Sequence, residues 1–226
     1  MVSRLRYLYS YFWGQRVKRL RSPLNGMVEV WYISGKYQLD AGNSNYSFGS
    51  LHRLFQRVFR ETRLAESRPA RMLLLGLGAG SVVSILRDEL RLTTHVTGID
   101  HDPQIIDLAR KYFGIDRYSG LDILCRDAFE YVSATDQQFD VIVVDLFRDQ
   151  EVPAKFRTGI FLEQCIRILS DNGLLIFNHI VMNKNQQQQF DHLTSLFRSL
   201  TGRLNILEIF GTNKVLVLKY MKDPSS

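Results

Sequence analysis

Cysteine, histidine and long apolar runs are all scarce in this chain of 226 residues, and each scarcity excludes a class of protein. The two cysteines, Cys125 and Cys165, lie inside predicted elements and form no spaced cluster. They predict two buried thiols in a reducing compartment, so we expect a cytoplasmic protein. No apolar run approaches the roughly 20 residues of a membrane-spanning helix. The five histidines show no metal-ligand spacing, and no metal ion is expected.

Acidic residues are missing from the first 22 positions. This segment carries six basic side chains, which equals the net charge of the whole chain, +6, and it also holds five aromatic residues between positions 7 and 13. The rest of the chain is formally neutral, so its composition does not indicate a nucleic-acid partner. A basic aromatic helix can pack on the protein's own body, contact a second subunit in a homodimer, or lie on an anionic membrane surface. A mitochondrial transit peptide has a similar composition.

The rest of the chain divides into two further parts. We predict a basic aromatic arm over residues 1–26, an N-terminal β-hairpin and helix over 27–70, and an α/β domain over 71–222. Alternating apolar residues on either side of Ser34-Gly35 indicate the hairpin. From residue 71, short apolar strands alternate with helices, which indicates a parallel sheet covered on both faces. Five strands are predicted, over 71–76, 95–99, 121–125, 139–145 and 173–180, and "LNILEIF-GTN-KVLVLKY" closes the chain as an antiparallel hairpin.

Three glycines, Gly76, Gly78 and Gly80, interrupt the apolar stretch "RMLLLGLGAGSVVSIL". Ligands of open parallel sheets bind beyond the carboxyl ends of the strands, where the loop after the first strand lies. The glycines, with Leu77 between them, therefore predict that a ligand approaches the backbone closely. A tight strand-to-helix turn also favours glycine, and the spacing G-x-G-x-G is one residue shorter than the dinucleotide fingerprint.

Carboxylates follow the next two predicted strands at the same edge of the sheet. Asp100, in "GIDHDP", can accept both hydroxyls of a ribose, because residues 102–103 already supply the cap and first turn of the next helix. Asp127, in "CRDAFEYV", can pair with an adenine amino group, or it can form a capping box with Glu130. The predicted nucleoside site also includes the neighbouring His101 and Ala128.

In this order, "LLLGLGAG", "GIDHDP", "CRDAFEYV" and "FDVIVVDLF" resemble the S-adenosylmethionine-dependent methyltransferase fold and, more narrowly, the spermidine synthase (aminopropyltransferase) family. The similarity extends over about residues 27–220, and "DLFRDQEVPAKF" resembles the family's loop D-x-x-D-P-x-G-P-A-x-x-L-F. The resemblance implies an α/β fold with a Rossmann-like, seven-stranded methyltransferase sheet behind a small N-terminal β-hairpin region. It also implies S-adenosylmethionine, or its decarboxylated form, as the cofactor.

The resemblance further implies roles for single residues. Asp145 matches the aspartate that helps to deprotonate the attacking amine, a step that is needed because an ammonium has no lone pair. The same carboxylate could orient another small nucleophile, or simply brace the next loop. Asp149 stands one residue later than the family's second loop aspartate. Tyr46 and His52 are candidates for a substrate-binding Tyr-His pair, although ordinary packing explains them equally well.

Two departures from the family pattern concern the transferred group. Ala79 stands where the family's G-G-G-D-G loop carries an acid, which would balance the cationic tail of decarboxylated S-adenosylmethionine. Arg148 would repel a diamine and could instead pair with a carboxylate. We therefore expect first a methyltransferase that acts on a small-molecule acceptor. The alternatives are an aminopropyltransferase that makes a polyamine and a non-catalytic relative that binds a nucleoside or a protein partner.

Overall fold

Two sheets organise the computed structural model, which describes residues 4–41, 44–47, 49–148 and 150–221. The first is a small antiparallel sheet at the N-terminus with the strand order β1-β2-β3-β4. Its strands are β1 Gln15–Ser22, β2 Gly26–Ile33, β3 Lys36–Ala41 and β4 Ser44–Ser47. The predicted hairpin corresponds to β2 and β3, whose turn residues Ser34 and Gly35 both have positive φ angles, of 50° and 76°.

The basic arm differs from the predicted helix. Among the described residues of the arm, only α1, Arg4–Tyr9, is helical, while Gln15–Ser22 forms strand β1 and pairs with β2. Val17 and Leu20 pack against the core from this strand, which explains why it joins the sheet. Phe12 and Trp13 are 80% and 70% exposed. Contact of this segment with a second subunit or an anionic membrane stays a prediction, as does the division of the chain at residues 26 and 70.

Helix α2, Ser50–Glu61, links the small sheet to the larger one and is followed by the short helix α3, Leu64–Ser67. Its buried face carries Leu54, Phe55, Val58 and Phe59, at the spacing of one helical stripe. These side chains share a core with Val28, Val30 and Leu39 of the small sheet. Because one core includes both sheets, α2 holds the small sheet against the larger one.

The second sheet has seven strands in the order β10-β11-β9-β8-β5-β6-β7. The five strands from β9 to β7 in that order are parallel, and β11 pairs antiparallel with β9 and β10. This confirms the predicted α/β fold, with a parallel sheet closed by an antiparallel hairpin. The strands are β5 Arg71–Leu75, β6 His95–Asp100, β7 Leu121–Cys125, β8 Phe139–Val144, β9 Leu169–Ile180, β10 Gly202–Ile209 and β11 Asn213–Tyr220.

Helices cover both faces of this sheet, and a separate buried apolar cluster lies beneath the helices on each face. Cys165 is buried in one of these clusters, whereas Cys125 is exposed, so the prediction of two buried thiols was wrong for Cys125. Within the described residues, no helix is both long and apolar enough to cross a membrane. The helices are α4 Ser81–Ser84 with a π turn Ile85–Glu89, α5 Pro103–Leu108 with a π turn Ala109–Phe113, α6 Ala128–Ala134, α7 Gly159–Arg167 and α8 Lys184–Arg198, with 3-10 turns at Ile115–Arg117 and Ala154–Phe156.

Candidate active site

A cavity of about 480 Å³ opens at the carboxyl edge of the parallel strands. It includes the loops after β5 and β8, the neighbouring strands between which the order of the parallel sheet reverses. Open α/β sheets bind ligands at this point, because the loops on either side diverge and leave a crevice. The polar side chains that line the cavity include Asn25, Asp100, Asp127, Asp145, Asn178 and Asn213.

The glycine loop is shaped by the protein's own atoms. A Cβ atom on Gly76 would lie 2.2 Å from the backbone oxygen of Asp145, and one on Gly80 would lie 2.6 Å from Cγ2 of Ile115. All three glycines of the loop have positive φ angles, of 94°, 52° and 83° along the chain. Gly76, Leu77 and Gly78 line the cavity, whereas Gly80 packs on Ile115. Close packing within the protein therefore explains Gly76 and Gly80, which the sequence analysis assigned to ligand binding.

Asp100 ends β6 with a buried carboxylate that faces the cavity. Its Oδ2 accepts the N–H of Gly78 at 3.1 Å, and its Oδ1 accepts the N–H of Asp102 at 3.1 Å. Burial raises the pKa of Asp100 above its ordinary value, although these two N–H donors oppose the shift. His101 also lines the cavity, with Nδ1 at 3.9 Å from Oδ1 of Asp100. The glycine loop thus orients the carboxylate that the sequence assigned to a ribose.

Asp102 ties the N-terminal sheet to this site, a connection that the sequence analysis missed. Its Oδ1 caps α5 by accepting the N–H of Gln104 at 2.9 Å, as predicted for the cap. Its Oδ2 accepts the hydroxyl of Ser22 at 2.5 Å and the amide of Asn25 at 2.7 Å. Asn25, in the turn between β1 and β2, also lines the cavity. The basic strand β1 therefore helps to hold one wall of the site.

Asp127 has two roles in the structure. Its Oδ1 accepts the N–H groups of Phe129 and Glu130, which caps α6 as the alternative interpretation predicted. Its Oδ2 pairs with Lys155, which comes from the loop after β8 and also lines the cavity. Partial burial raises the pKa of Asp127, but the Lys155 ion pair and the two N–H donors outweigh burial and hold it below its ordinary value. Ala128 completes this wall.

Asp145 follows β8 directly and lies opposite Gly76 in the cavity. Its Oδ1 accepts a hydrogen bond from the amide of Asn178 at 2.9 Å, and its N–H donates to the carbonyl of Leu75 at 2.8 Å. Burial raises the pKa of Asp145 to about 6, and the Asn178 hydrogen bond partly opposes this shift. Within the described part of the chain, no cationic side chain forms an ion pair with Asp145. It is therefore a carboxylate that can accept a proton near neutral pH.

Asn178 and Asn213 are site residues that the sequence analysis missed. Asn178 lies two residues before the end of β9, is 1% exposed and links Asp145 to Asn213, whose amide donates to Oδ1 of Asn178 at 3.2 Å. In the sequence, the signal for these two residues is that they lie near the ends of strands, at the alternate positions whose side chains face inward. That signal becomes readable only when β11 is known to pair with β9.

Of the three predicted substrate residues, the structure describes only the side chain of His52. His52 lies outside the cavity lining and bonds through Nε2 to Glu89 at 2.6 Å, while its neighbours Leu51 and Leu54 line the cavity. This placement does not support a substrate role for His52. The side chain of Tyr46 and the whole of Asp149 lie outside the described residues. Arg148 lines the cavity, as the sequence suggested.

Comparison with known proteins identifies the family. Residues 62–200 match the model of the spermine/spermidine synthase domain. A polyamine aminopropyltransferase of Vibrio vulnificus is 30% identical over 142 residues, which cover 62% of this chain and 46% of the relative. The chain thus spans about half the length of that relative.

Two solved structures share the fold. A probable spermidine synthase from Corynebacterium glutamicum gives a TM-score of 0.75 at 18% identity and covers 91% of this chain and 79% of that one. Human methyltransferase-like protein 13 in complex with SAH gives 0.65 at 20% identity and covers 78% and 85%. At such identities the likeness shows the fold alone, whereas the domain model matches more than half of the sequence. On that match, the chain belongs to the spermine/spermidine synthase family.

Proposed function

We propose that this chain is an aminopropyltransferase, which moves the aminopropyl group of decarboxylated S-adenosylmethionine to an amine. The observation that carries the proposal is the match of residues 62–200 to the spermine/spermidine synthase domain. The 30% identity to a polyamine aminopropyltransferase supports it. Methyl transfer, which the sequence placed first, is the less well supported of the two reactions, because the family favours the alternative.

The lining residues fit a sulfonium nucleoside. Each carboxylate oxygen of Asp100 accepts one backbone N–H and keeps a lone pair, so together they suit the two hydroxyls of a ribose. Asp127 and Lys155 place an acceptor beside a donor, which suits the amino group and ring nitrogen at the edge of an adenine. When bound, decarboxylated S-adenosylmethionine supplies a carbon made electrophilic by its sulfonium. The residues that would hold it are Gly76, Leu77, Gly78, Asp100, His101, Asp127 and Ala128.

Asp145 would act as the general base. An amine is protonated near pH 7 and must lose a proton before it can attack carbon. A carboxyl group with a pKa of about 6 is mostly ionised at that pH and is a stronger base than an ordinary aspartate. Asp145 can therefore bind the incoming ammonium as an ion pair and then hold its proton on the carboxylate.

The presence of Ala79 in the glycine loop gives little reason to exclude aminopropyl transfer. Ala79 is 1% exposed, belongs to the apolar core below the loop and is absent from the cavity lining. Its methyl group therefore does not lie beside the predicted cofactor tail. An acidic side chain at position 79 would have to point in a different direction from that of Ala79 to reach the cavity.

Methyl transfer remains the second candidate because of the basic residues in the cavity. Arg126, Arg148 and Lys155 all line it, and among the described residues Lys155 alone of the three forms an ion pair with a carboxylate, that of Asp127. Intact S-adenosylmethionine carries a carboxylate that either arginine could bind. This observation favours a cofactor with its own negative charge.

Calorimetric titration with the two cofactors, side by side, tests the proposal. We expect decarboxylated S-adenosylmethionine to bind at least about tenfold more tightly, equivalent to about 1.4 kcal/mol. Tighter binding of the intact form would favour methyl transfer. Asp100→Asn should weaken binding of both cofactors, because the new NH₂ group would face the N–H donor of either Gly78 or Asp102. Asp171→Asn, at an exposed position, is the control and should change neither.

A further inference from the structure

We propose that Asn178 and Asn213 are positioning residues that hold the Asp145 carboxylate in its reactive orientation, which makes the C-terminal hairpin part of the reaction centre. The inference rests on the proposed role of Asp145 as the base. It extends that role to strands β9 and β11, which the sequence did not connect with the chemistry.

Strand register brings the three side chains together. Strands β8, β9 and β11 are neighbours in the sheet, and Asn178 lies opposite Val215. Val143, Ile176 and Val215 point into the same buried cluster, one from each strand. Asp145 lies two positions after Val143, and Asn178 lies two positions after Ile176. Asn213 lies two positions before Val215. Because side chains alternate along a strand, all three lie on the same face at its carboxyl edge.

The hydrogen bonds run in one direction. The amide of Asn213 donates to Oδ1 of Asn178 at 3.2 Å, and the amide of Asn178 donates to Oδ1 of Asp145 at 2.9 Å. An ionised carboxylate accepts only, so Asn178 must present its NH₂ group to Asp145 and its oxygen to Asn213. This fixes the amide orientation, and with it the rotation of the carboxylate. Oδ1 is thereby engaged, and Oδ2 is the oxygen that can meet an amine.

The chain of amides positions Asp145 without relaying its proton. Neither asparagine side chain titrates, so a proton taken from the amine stays on Asp145 until solvent or product removes it. The titratable and charged groups that line the same cavity are Asp100, His101, Arg126, Asp127, Arg148 and Lys155. Burial raises the pKa of Asp145, and the Asn178 hydrogen bond lowers it.

Carbon-13 NMR of the aspartate carboxyl groups, in the full chain without ligand, tests the inference independently of turnover. Asn178→Leu keeps the volume and removes the donor, so the Asp145 resonance, assigned with Asp145→Asn, should titrate about one pH unit higher than in the wild type. Asn213→Ala leaves the direct bond in place and should raise the midpoint by less. Asn205→Leu, at an exposed position of β10, is the control and should leave the midpoint unchanged.

A midpoint that is unchanged in a folded Asn178→Leu protein would overturn the inference. If that variant does not fold, Asn213→Ala decides. The inference expects a several-fold lower kcat with an unchanged dissociation constant for the nucleoside, and it fails if kcat matches the wild type. Complete lack of turnover in the wild type would count against the proposed function, whereas the NMR titration would still decide whether the asparagines position Asp145.

Discussion

The backbone oxygen of Asp145 lies 2.2 Å from the point where Gly76 would carry a Cβ atom. The ends of β5 and β8 therefore touch backbone to backbone at the point where the strand order reverses. The contact places the proposed base directly against the glycine loop. A glycine that the sequence assigned to ligand binding is thus required first by the position of the Asp145 backbone.

Gly76→Ala should displace Asp145 or unfold the protein, because the neighbouring atom is backbone and the φ angle of 94° disfavours a side chain. We expect a fall in activity of more than about tenfold and a loss of stability well beyond the 1–2 kcal/mol of a left-handed alanine. Gly211→Ala is the matched control, since Gly211 has a φ of 72° but no atom within 4 Å of its added Cβ. Urea unfolding and turnover should separate the two variants; equal effects would show that the contact with Asp145 is unimportant.

The pH dependence of turnover should report Asp145. The carboxyl group must be ionised to accept a proton, so activity should fall as the pH drops through about 6. We expect kcat/KM to show an acid limb with an apparent pKa near 6, and Asp145→Asn to lower kcat by about 10²–10⁴ with little change in nucleoside affinity. An acid limb near pH 4, or a fully active Asp145→Asn protein, would exclude Asp145 as the base.

The same group should make the protein less stable at neutral pH. Its pKa rises from 3.8 to about 6 on folding, so the folded state binds this proton more tightly than the unfolded state does. The contribution to stability is full below about pH 4 and is lost as the pH rises through 6. Asp145→Asn should therefore raise the free energy of unfolding by about 1–3 kcal/mol at pH 8, with little gain at pH 4. Denaturant titrations at the two pH values measure this, and an equal effect at both would contradict it.

Ser22 should support both stability and cofactor binding. Its hydroxyl donates to the buried carboxylate of Asp102 and accepts the N–H groups of Leu24 and Asn25, in the turn that lines the cavity. Ser22→Ala should cost about 1–3 kcal/mol and weaken nucleoside binding several-fold. Ser195→Ala, whose hydroxyl is exposed and bonds only within its own helix, should cost less than about 0.5 kcal/mol. Similar values for both variants would show that the turn is held by other contacts.

The parallel domain could be predicted because its signals are local. Three of the five parallel strands, β5, β8 and β9, contain an apolar run of four residues, and the caps at Asp102 and Asp127 are encoded by residues within one helical turn. Strand β1 was missed because it lies at the edge of its sheet, where exposed positions carry arginine and lysine. Such an edge strand has the composition of a basic helix.

The parts of the site that could not be predicted depend on contacts between distant positions. Asn178 and Asn213 meet only through the antiparallel pairing of β9 with β11, and Lys155 reaches Asp127 from a loop 28 residues away. Ser22 and Asp102 are 80 residues apart. A single sequence carries no signal for these pairs. The assignment of Asp100 and Asp127 to the cavity followed instead from the rule that parallel strands place their carboxyl ends at one edge, and that of Asp145 from the family resemblance.

The most direct test of aminopropyl transfer is the identity of the nucleoside released during turnover. The protein would be incubated with decarboxylated or intact S-adenosylmethionine and an amine such as putrescine, and the products separated by liquid chromatography and mass spectrometry. The account predicts methylthioadenosine and an amine heavier by one aminopropyl group, formed only from the decarboxylated cofactor and lost in Asp145→Asn. Release of S-adenosylhomocysteine from the intact cofactor, with no methylthioadenosine from the decarboxylated one, would contradict it.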